Sequence, residues 1–251
     1  MKKILIIVLL IFTNSVKSQN DSLWNLNDIS NITFYLYEST TRKGGSATLI
    51  SHKKKYFILT AEHIAKDMTI KSLLVMRGDN DTPIIYELSS LTNENKLEWT
   101  NHKEADLSII ELSNLDEYLT VRFQKWCFPS ELILKEKKTT ARDNDVTFFG
   151  FPIIDTDLQH FSPLSFTAYP ASGLLTNKRY DTNTKCTFFY LDQPSMQGCS
   201  GAGVYFSVEK AEFYSIGKTI LIGVVHGTAK DNTGGKLAAI TPSFYIWDLL
   251  K

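Results

Sequence analysis

Short apolar segments separated by polar turns dominate the chain. Many combine β-branched and aromatic residues over four to six positions, which is typical of β-strands. The predicted strands are 32–37, 47–50, 56–60, 72–76, 84–88, 97–99, 107–112, 146–149, 165–169, 187–191, 203–207, 220–225 and 237–240. Residues 41–45 are expected to turn the chain, and residues 51–55 to close a hairpin. Short, closely spaced strands with few helices predict an all-β barrel or sandwich.

The polar segment 135–145 divides the predicted strands into two clusters of about six. We therefore predict two β-barrel lobes, 31–139 and 140–251, after a polar lead at 19–30. Thr241 and Pro242 are expected to cap and begin a short C-terminal helix, because Pro suits the first helical position.

The N-terminus has the composition of a secretory signal peptide. Two lysines follow Met1, residues 4–12 are apolar and uncharged, and the chain turns polar through Ser18. We predict cleavage after residue 18, with a retained anchor as the alternative. No later apolar stretch reaches spanning length, so a secreted or periplasmic protein without membrane contact is expected.

Charge and cysteine content restrict the function further. The 27 basic and 27 acidic side chains balance, which argues against a nucleic-acid partner. The three cysteines allow at most one disulfide within the chain, and Cys186 and Cys199 are nearest in sequence. Because there is no CxxC motif and no His/Cys cluster at ligand spacing, neither a metal nor a cofactor is expected.

Residues 197–203, Gln-Gly-Cys-Ser-Gly-Ala-Gly, hold three glycines and one serine. Such a segment is either a tight turn or a loop that presents the Ser200 hydroxyl beside backbone N–H groups. A serine nucleophile needs a base, and the base needs an acid that fixes its tautomer.

Two residues suit those roles. Of the five histidines, His63 directly follows a predicted buried strand, whereas His52, His102 and His160 lie in polar surroundings and His226 ends an apolar strand. Asp106 leads into an apolar strand, where burial is costly unless the carboxylate is paired. The order His63, Asp106, Ser200 on an all-β chain differs from that of α/β-hydrolases and subtilisins.

The motifs resemble the chymotrypsin/trypsin-like serine peptidases, and most closely the bacterial trypsin-like peptidase domains. They are residues 44–50 (GGSATLI), 59–63 (LTAEH), 105–110 (ADLSII), 149–152 (FGFP) and 198–202 (GCSGA). The resemblance spans roughly residues 40–241 and implies two six-stranded antiparallel barrels with the active site between them. It also implies that His63 is the base, Asp106 the orienting acid and Ser200 the nucleophile, with an oxyanion hole formed by Gly198 and Ser200.

The chain departs from the family pattern within and around the nucleophile loop. Cys199 replaces the aspartate of zymogen-activated relatives, and Ala202 replaces a glycine. The resemblance places Pro194, Gln197, His226 and Gly227 in the substrate site. Pro194 weakens any case for cleavage after Lys or Arg. Glutamate-preferring relatives carry a histidine near His226, at a spacing one residue different.

The leading hypothesis is a secreted serine endopeptidase that acts on polypeptides through an acyl-Ser200 intermediate. The alternatives are a catalytically silent binding module on the same fold, an esterase, or a cysteine nucleophile at Cys199. The oligomeric state is left open.

Overall fold

The computed structural model describes Trp24 and residues 26–92, 96–152, 160–207 and 219–251. The predicted signal peptide at 1–18 and much of the predicted polar lead lie outside the described residues. No helix within those ranges is both long and apolar enough to cross a bilayer.

The first sheet contains eight strands. They are β1 (Thr33–Glu38), β2 (Lys43–His52), β3 (Lys55–Thr60), β4 (Leu73–Arg77), β5 (Pro83–Glu87), β6 (Thr100–Asn101), β7 (Ser108–Leu112) and β8 (Phe128–Pro129). Seven follow the order β5-β4-β1-β2-β3-β7-β6 with antiparallel pairing. The short β8 runs parallel to β2.

The second sheet contains seven strands, all antiparallel to their neighbours. They are β9 (Val146–Gly150), β10 (Leu164–Ala168), β11 (Leu175–Lys178), β12 (Lys185–Leu191), β13 (Gly203–Ser207), β14 (Thr219–Lys230) and β15 (Lys236–Pro242). Their order is β10-β9-β13-β14-β15-β12-β11. The connecting segment already contacts this sheet at Ile133 and Leu134, which pair with Leu221 of β14.

The helices are short and peripheral to the sheets. They are α1 (Leu26–Ile29), α2 (Glu62–Ala65), α3 (Leu88–Leu91), α4 (Glu117–Lys125) and α5 (Ile246–Leu249). α4 is the longest of these at nine residues, and its N-terminus is capped by the Asp116 carboxylate, which accepts from the Leu119 N–H.

The all-β class and the short C-terminal helix are confirmed, with some differences in detail. Within the described residues, the sheets have eight and seven strands rather than six each. Neither closes into a barrel there, since the strands at the two ends of each order do not pair. The additional strands, β8 and β11, are not predicted by the apolar pattern of the sequence. β8 has only two residues, and β11 is exposed throughout. The strand predicted at 97–99 is wrong, and pairing begins at Thr100 instead.

Two local predictions were also wrong. Gly44 and Gly45 lie inside β2 rather than in a turn, and a Cβ on Gly44 would come within 2.3 Å of the Tyr35 hydroxyl. Close packing therefore explains that glycine. Thr241 and Pro242 finish β15, with Pro242 in an extended conformation, so a 3₁₀ turn at Ser243–Tyr245 precedes α5.

Candidate active site

The loop that carries Ser200 depends on two glycines in the left-handed region. Gly198 has φ +93°, and a Cβ there would lie 2.3 Å from the Phe151 carbonyl oxygen. Gly201 has φ +88°, and its Cβ would meet the Ser46 carbonyl oxygen at 2.0 Å. Any other residue would strain the backbone and collide with its neighbours, so these glycines shape a specific loop.

Ser46 of β2 binds this loop to the first sheet. Its N–H donates to the Ser200 carbonyl at 2.8 Å, and its hydroxyl donates to the Gly198 carbonyl at 2.8 Å. The same hydroxyl accepts from the Phe151 N–H at 3.1 Å. The nucleophile loop connects β12 and β13 of the second sheet. The bonds to Ser46 therefore fix the position of this loop relative to the first sheet.

His63 lies in α2, which directly follows β3. Its Nδ1 donates to Asp106 Oδ2 at 2.7 Å, and its backbone N–H donates to Asp106 Oδ1 at 3.0 Å. Burial lowers the pKa of His63, but the hydrogen bond and the charge of Asp106 outweigh burial, so the pKa lies above its usual 6.5. The ring is 30% exposed and thus open to solvent on one side.

Asp106 is fully buried in the loop before β7. Burial alone would raise the pKa of its carboxyl, but hydrogen bonds from His226 and His63 hold that pKa far below its usual range. The loop itself is held by His102, whose Nδ1 accepts from the N–H groups of Glu104 and Ala105. Although the sequence around His102 is polar, its side chain is only 9% exposed.

His226 is the second imidazole on Asp106. Its Nδ1 donates to Asp106 Oδ2 at 2.5 Å. β14 and β15 pair regularly up to Val225 and again from Gly227, so His226 is the extra residue of a β-bulge. A bulge redirects a side chain, and no feature of the apolar sequence before His226 reveals this one.

Arg179 was not singled out from the sequence, although it is central to the site. It follows β11, is 2% exposed, and lies among three carboxylates. Its guanidinium is 2.7 Å from Glu62, 3.2 Å from Asp106 and 2.5 Å from Asp181. A buried Arg needs such partners, but two of them, Glu62 and Asp106, come from segments far from Arg179 in the chain.

Ser200 contacts the backbone of His226, and its hydroxyl bonds to neither imidazole ring. Its Oγ donates to the His226 carbonyl at 3.1 Å. His226 and His63 have ring centroids 5.8 Å apart, so Ser200, His226, Asp106 and His63 form one connected group. Within the described ranges, the N–H groups of Gly198 and Ser200 donate to no protein acceptor.

The predicted substrate residues lie along two adjacent segments. Pro194 and Gln197 are exposed in the loop before the nucleophile, and Gly227 follows the bulge of β14. The segments are joined through Ser195 and Thr228, whose hydroxyl oxygens are 2.9 Å apart.

The three cysteines are free and buried. Cys186 and Cys199, the pair nearest in sequence, are therefore not bonded to each other. Burial raises the pKa of the Cys199 thiol to about 11, so it is protonated at neutral pH.

Among the described residues, two groups have the spacing of metal ligands: His63 with Asp106 and His226, and Glu62 with Asp106 and Asp181. In the first group, both imidazole Nδ1 atoms already contact the Asp106 carboxylate. In the second, the Arg179 guanidinium supplies the positive charge that three carboxylates require.

No protein-family model and no curated protein sequence matches the chain. Solved structures do match it in fold. The Rv3671c protease of M. tuberculosis, in its inactive form, has a TM-score of 0.56 at 12% identity, over 92% of each chain. The HtrA-type protease AlgW with a tripeptide has a TM-score of 0.54 at 13% identity, over 89% of this chain and 60% of that one. A serine endoprotease from Yersinia pestis has a TM-score of 0.50 at 15% identity, over 89% and 63%.

The chain therefore has the chymotrypsin-like fold of the trypsin-like serine proteases. At these identities the likeness is one of fold alone.

Proposed function

We propose that this protein is a serine endopeptidase, exported after cleavage of residues 1–18, that needs no cofactor and acts on polypeptides. The observation that carries the proposal is the buried Asp106 carboxylate, which accepts from both Nδ1 and the backbone N–H of His63. That pairing fixes the tautomer in which Nε2 has a free lone pair. Ser200 lies on a glycine-shaped loop beside the same group.

The reaction proceeds through an acyl-enzyme. The Ser200 hydroxyl leaves the His226 carbonyl, gives its proton to His63 Nε2, and its oxygen attacks the peptide carbonyl carbon. The N–H groups of Gly198 and Ser200 bind the resulting oxyanion. His63 then protonates the departing amine. Next it takes a proton from a water molecule, whose oxygen attacks the acyl carbon, and it returns that proton to the Ser200 oxygen as the ester bond breaks and the acid product leaves. Asp106 stays ionised throughout, in accord with its lowered pKa.

The substrate backbone is proposed to pair with the open edge of β14. The N–H and carbonyl of Val225 bond to Ala202 and Gly201 of the nucleophile loop. Beyond Val225, β14 continues to Lys230 and, within the described residues, pairs with β15 alone. A peptide could add as a strand along the other side, passing Gly227, where an added Cβ would have nothing within 4 Å. Pro194 and Gln197 would then border the first side-chain pocket.

The charges near that pocket argue against cleavage after Lys or Arg. The nearest acid in sequence, Asp192, accepts from the Tyr169 N–H at 2.9 Å. His226 uses Nδ1 for Asp106, so we assign it to the acid rather than to a glutamate side chain of the substrate.

Fluorophosphonate labelling tests this proposal, because such probes react with an activated serine. The wild-type protein is expected to label at one site, and Ser200→Ala is expected to abolish labelling. Cys199→Ala serves as the matched control, since it changes the adjacent buried side chain and should still label. A folded wild-type protein that never labels would favour the silent binding module, whereas labelling lost only in Cys199→Ala would favour the cysteine nucleophile.

A further inference from the structure

His226 contacts the catalytic group through two different atoms. Its imidazole Nδ1 donates to Asp106 Oδ2, and its backbone carbonyl accepts from Ser200 Oγ. In a regular ladder this carbonyl and this side chain would be fixed by strand pairing. The bulge in β14 frees both, because His226 has no partner in β15.

The ring of His226 is held firmly in this orientation. Its side chain is 4% exposed. The Tyr180 ring stacks on it at 5.7 Å with an interplanar angle of 11°, and the Phe188 ring lies 5.2 Å away. Rotation of the ring away from Asp106 would disturb both contacts, so the donor is pre-positioned.

The Asp106 carboxylate is saturated by donors. Oδ2 accepts from the Nδ1 atoms of His63 and His226, while Oδ1 accepts from the His63 N–H and from Arg179. A carboxylate has about four acceptor positions, and here all are used. Since two rings share Oδ2, neither can move without changing the orientation of the carboxylate toward the other.

We propose that His226 is a positioning residue for the reaction: its imidazole orients Asp106 toward His63, and its carbonyl holds the Ser200 hydroxyl at rest. The proposal rests on the proposed peptidase function. In this way His226, a single residue in a β-bulge, positions both the acid Asp106 and the nucleophile Ser200.

Two variants separate the donor from the bulk of the ring. His226→Asn keeps an N–H donor close to the position of Nδ1, and His226→Leu keeps bulk but removes the donor. We expect His226→Leu to lower kcat/KM by about 10- to 100-fold, mainly through kcat, because a charge-assisted hydrogen bond to the acid is lost. His226→Asn is expected to recover most of that loss. Equal losses in both variants, or no loss in either, would overturn the positioning role.

The pH dependence of kcat/KM separates the positioning role from a loss of protein stability, because a loss of stability alone would not shift the acidic limb. The acidic limb of wild-type kcat/KM is expected above pH 6.5, because the base must be neutral and the pKa of His63 is raised. Loss of one donor makes the Asp106 carboxylate more basic, which favours protonated His63. The limb should therefore move to higher pH in His226→Leu and stay in place in His226→Asn. An unmoved limb in His226→Leu would contradict the proposal.

Proton NMR tests the pairing without any turnover. Two downfield Nδ1–H resonances are expected in the folded wild-type protein, one from each imidazole on Asp106, and a single one in His226→Asn. If both appear but no substrate is hydrolysed, the peptidase proposal fails and the pairing stands. A single resonance in the wild-type protein would refute the pairing itself.

Discussion

Asp106→Asn is expected to reduce kcat by about 10⁴-fold. Every contact of the Asp106 side chain comes from a donor: two imidazole Nδ1 atoms on one oxygen, and the His63 N–H and Arg179 on the other. An amide placed either way turns its NH₂ toward donors. With the NH₂ in place of Oδ2, the His63 Nδ1–H loses its acceptor, and the tautomer with a proton on Nε2, which cannot accept from Ser200, becomes favoured. With the NH₂ in place of Oδ1, it faces the His63 N–H and Arg179 instead.

Single-turnover kinetics on a peptide substrate, with circular dichroism to verify folding, would measure this effect. Asp181→Asn is the matched control. It neutralises another carboxylate that contacts Arg179, at 2.5 Å, but that carboxylate makes no hydrogen bond to His63. We expect the control to retain far more activity. A similar loss in both variants would assign the effect to the charge of the cluster rather than to the orientation of the base.

Arg179→Met is expected to lower the free energy of unfolding by about 3–5 kcal/mol. The guanidinium is 2% exposed and contacts Glu62 and Asp106 from the first half of the chain and Asp181 from the second. Without it, buried carboxylates face one another with no cation between them. Denaturant unfolding of the two proteins would measure the difference, and Lys178→Met, an exposed neighbour with the same charge, is the control.

The dependence of this deficit on pH follows from Asp181. Burial raises the pKa of this carboxyl, but the hydrogen bond and charge of Arg179 outweigh burial, so the folded pKa lies below the unfolded value of 3.8. The ionised carboxylate therefore stabilises the fold above pH 3.8, and this contribution is lost as pH falls through the folded pKa. The deficit in Arg179→Met should accordingly be largest near neutral pH and shrink on acidification. A deficit that does not change with pH would mean that packing, not charge, dominates.

Much of the fold could be predicted because its strands are locally encoded. Alternating apolar and β-branched residues located strands such as β1, β3, β7 and β13 to within about two residues. β11 was not predicted, because its residues are exposed on both faces and show no apolar pattern. Closure of the sheets depends on long-range pairing that no local pattern carries, and the described sheets remain open.

The site was only partly predictable, for a similar reason. His63, Asp106 and Ser200 each stand in a recognisable local segment, and the structure brings them into one group through His226. Arg179 has no such segment, since only tertiary contacts make it important. The orientation of His226 depends on a bulge that shifts the strand by one residue, and a shift of that size decides which face a side chain takes.

Cleavage of a random peptide mixture, read by mass spectrometry, tests the endopeptidase directly. The wild-type protein is expected to generate new peptide termini with a consistent side-chain preference at the cleaved bond. Ser200→Ala should generate none. A wild-type protein that is labelled by fluorophosphonate and hydrolyses esters, yet leaves every peptide intact, would contradict the peptidase assignment and favour the esterase.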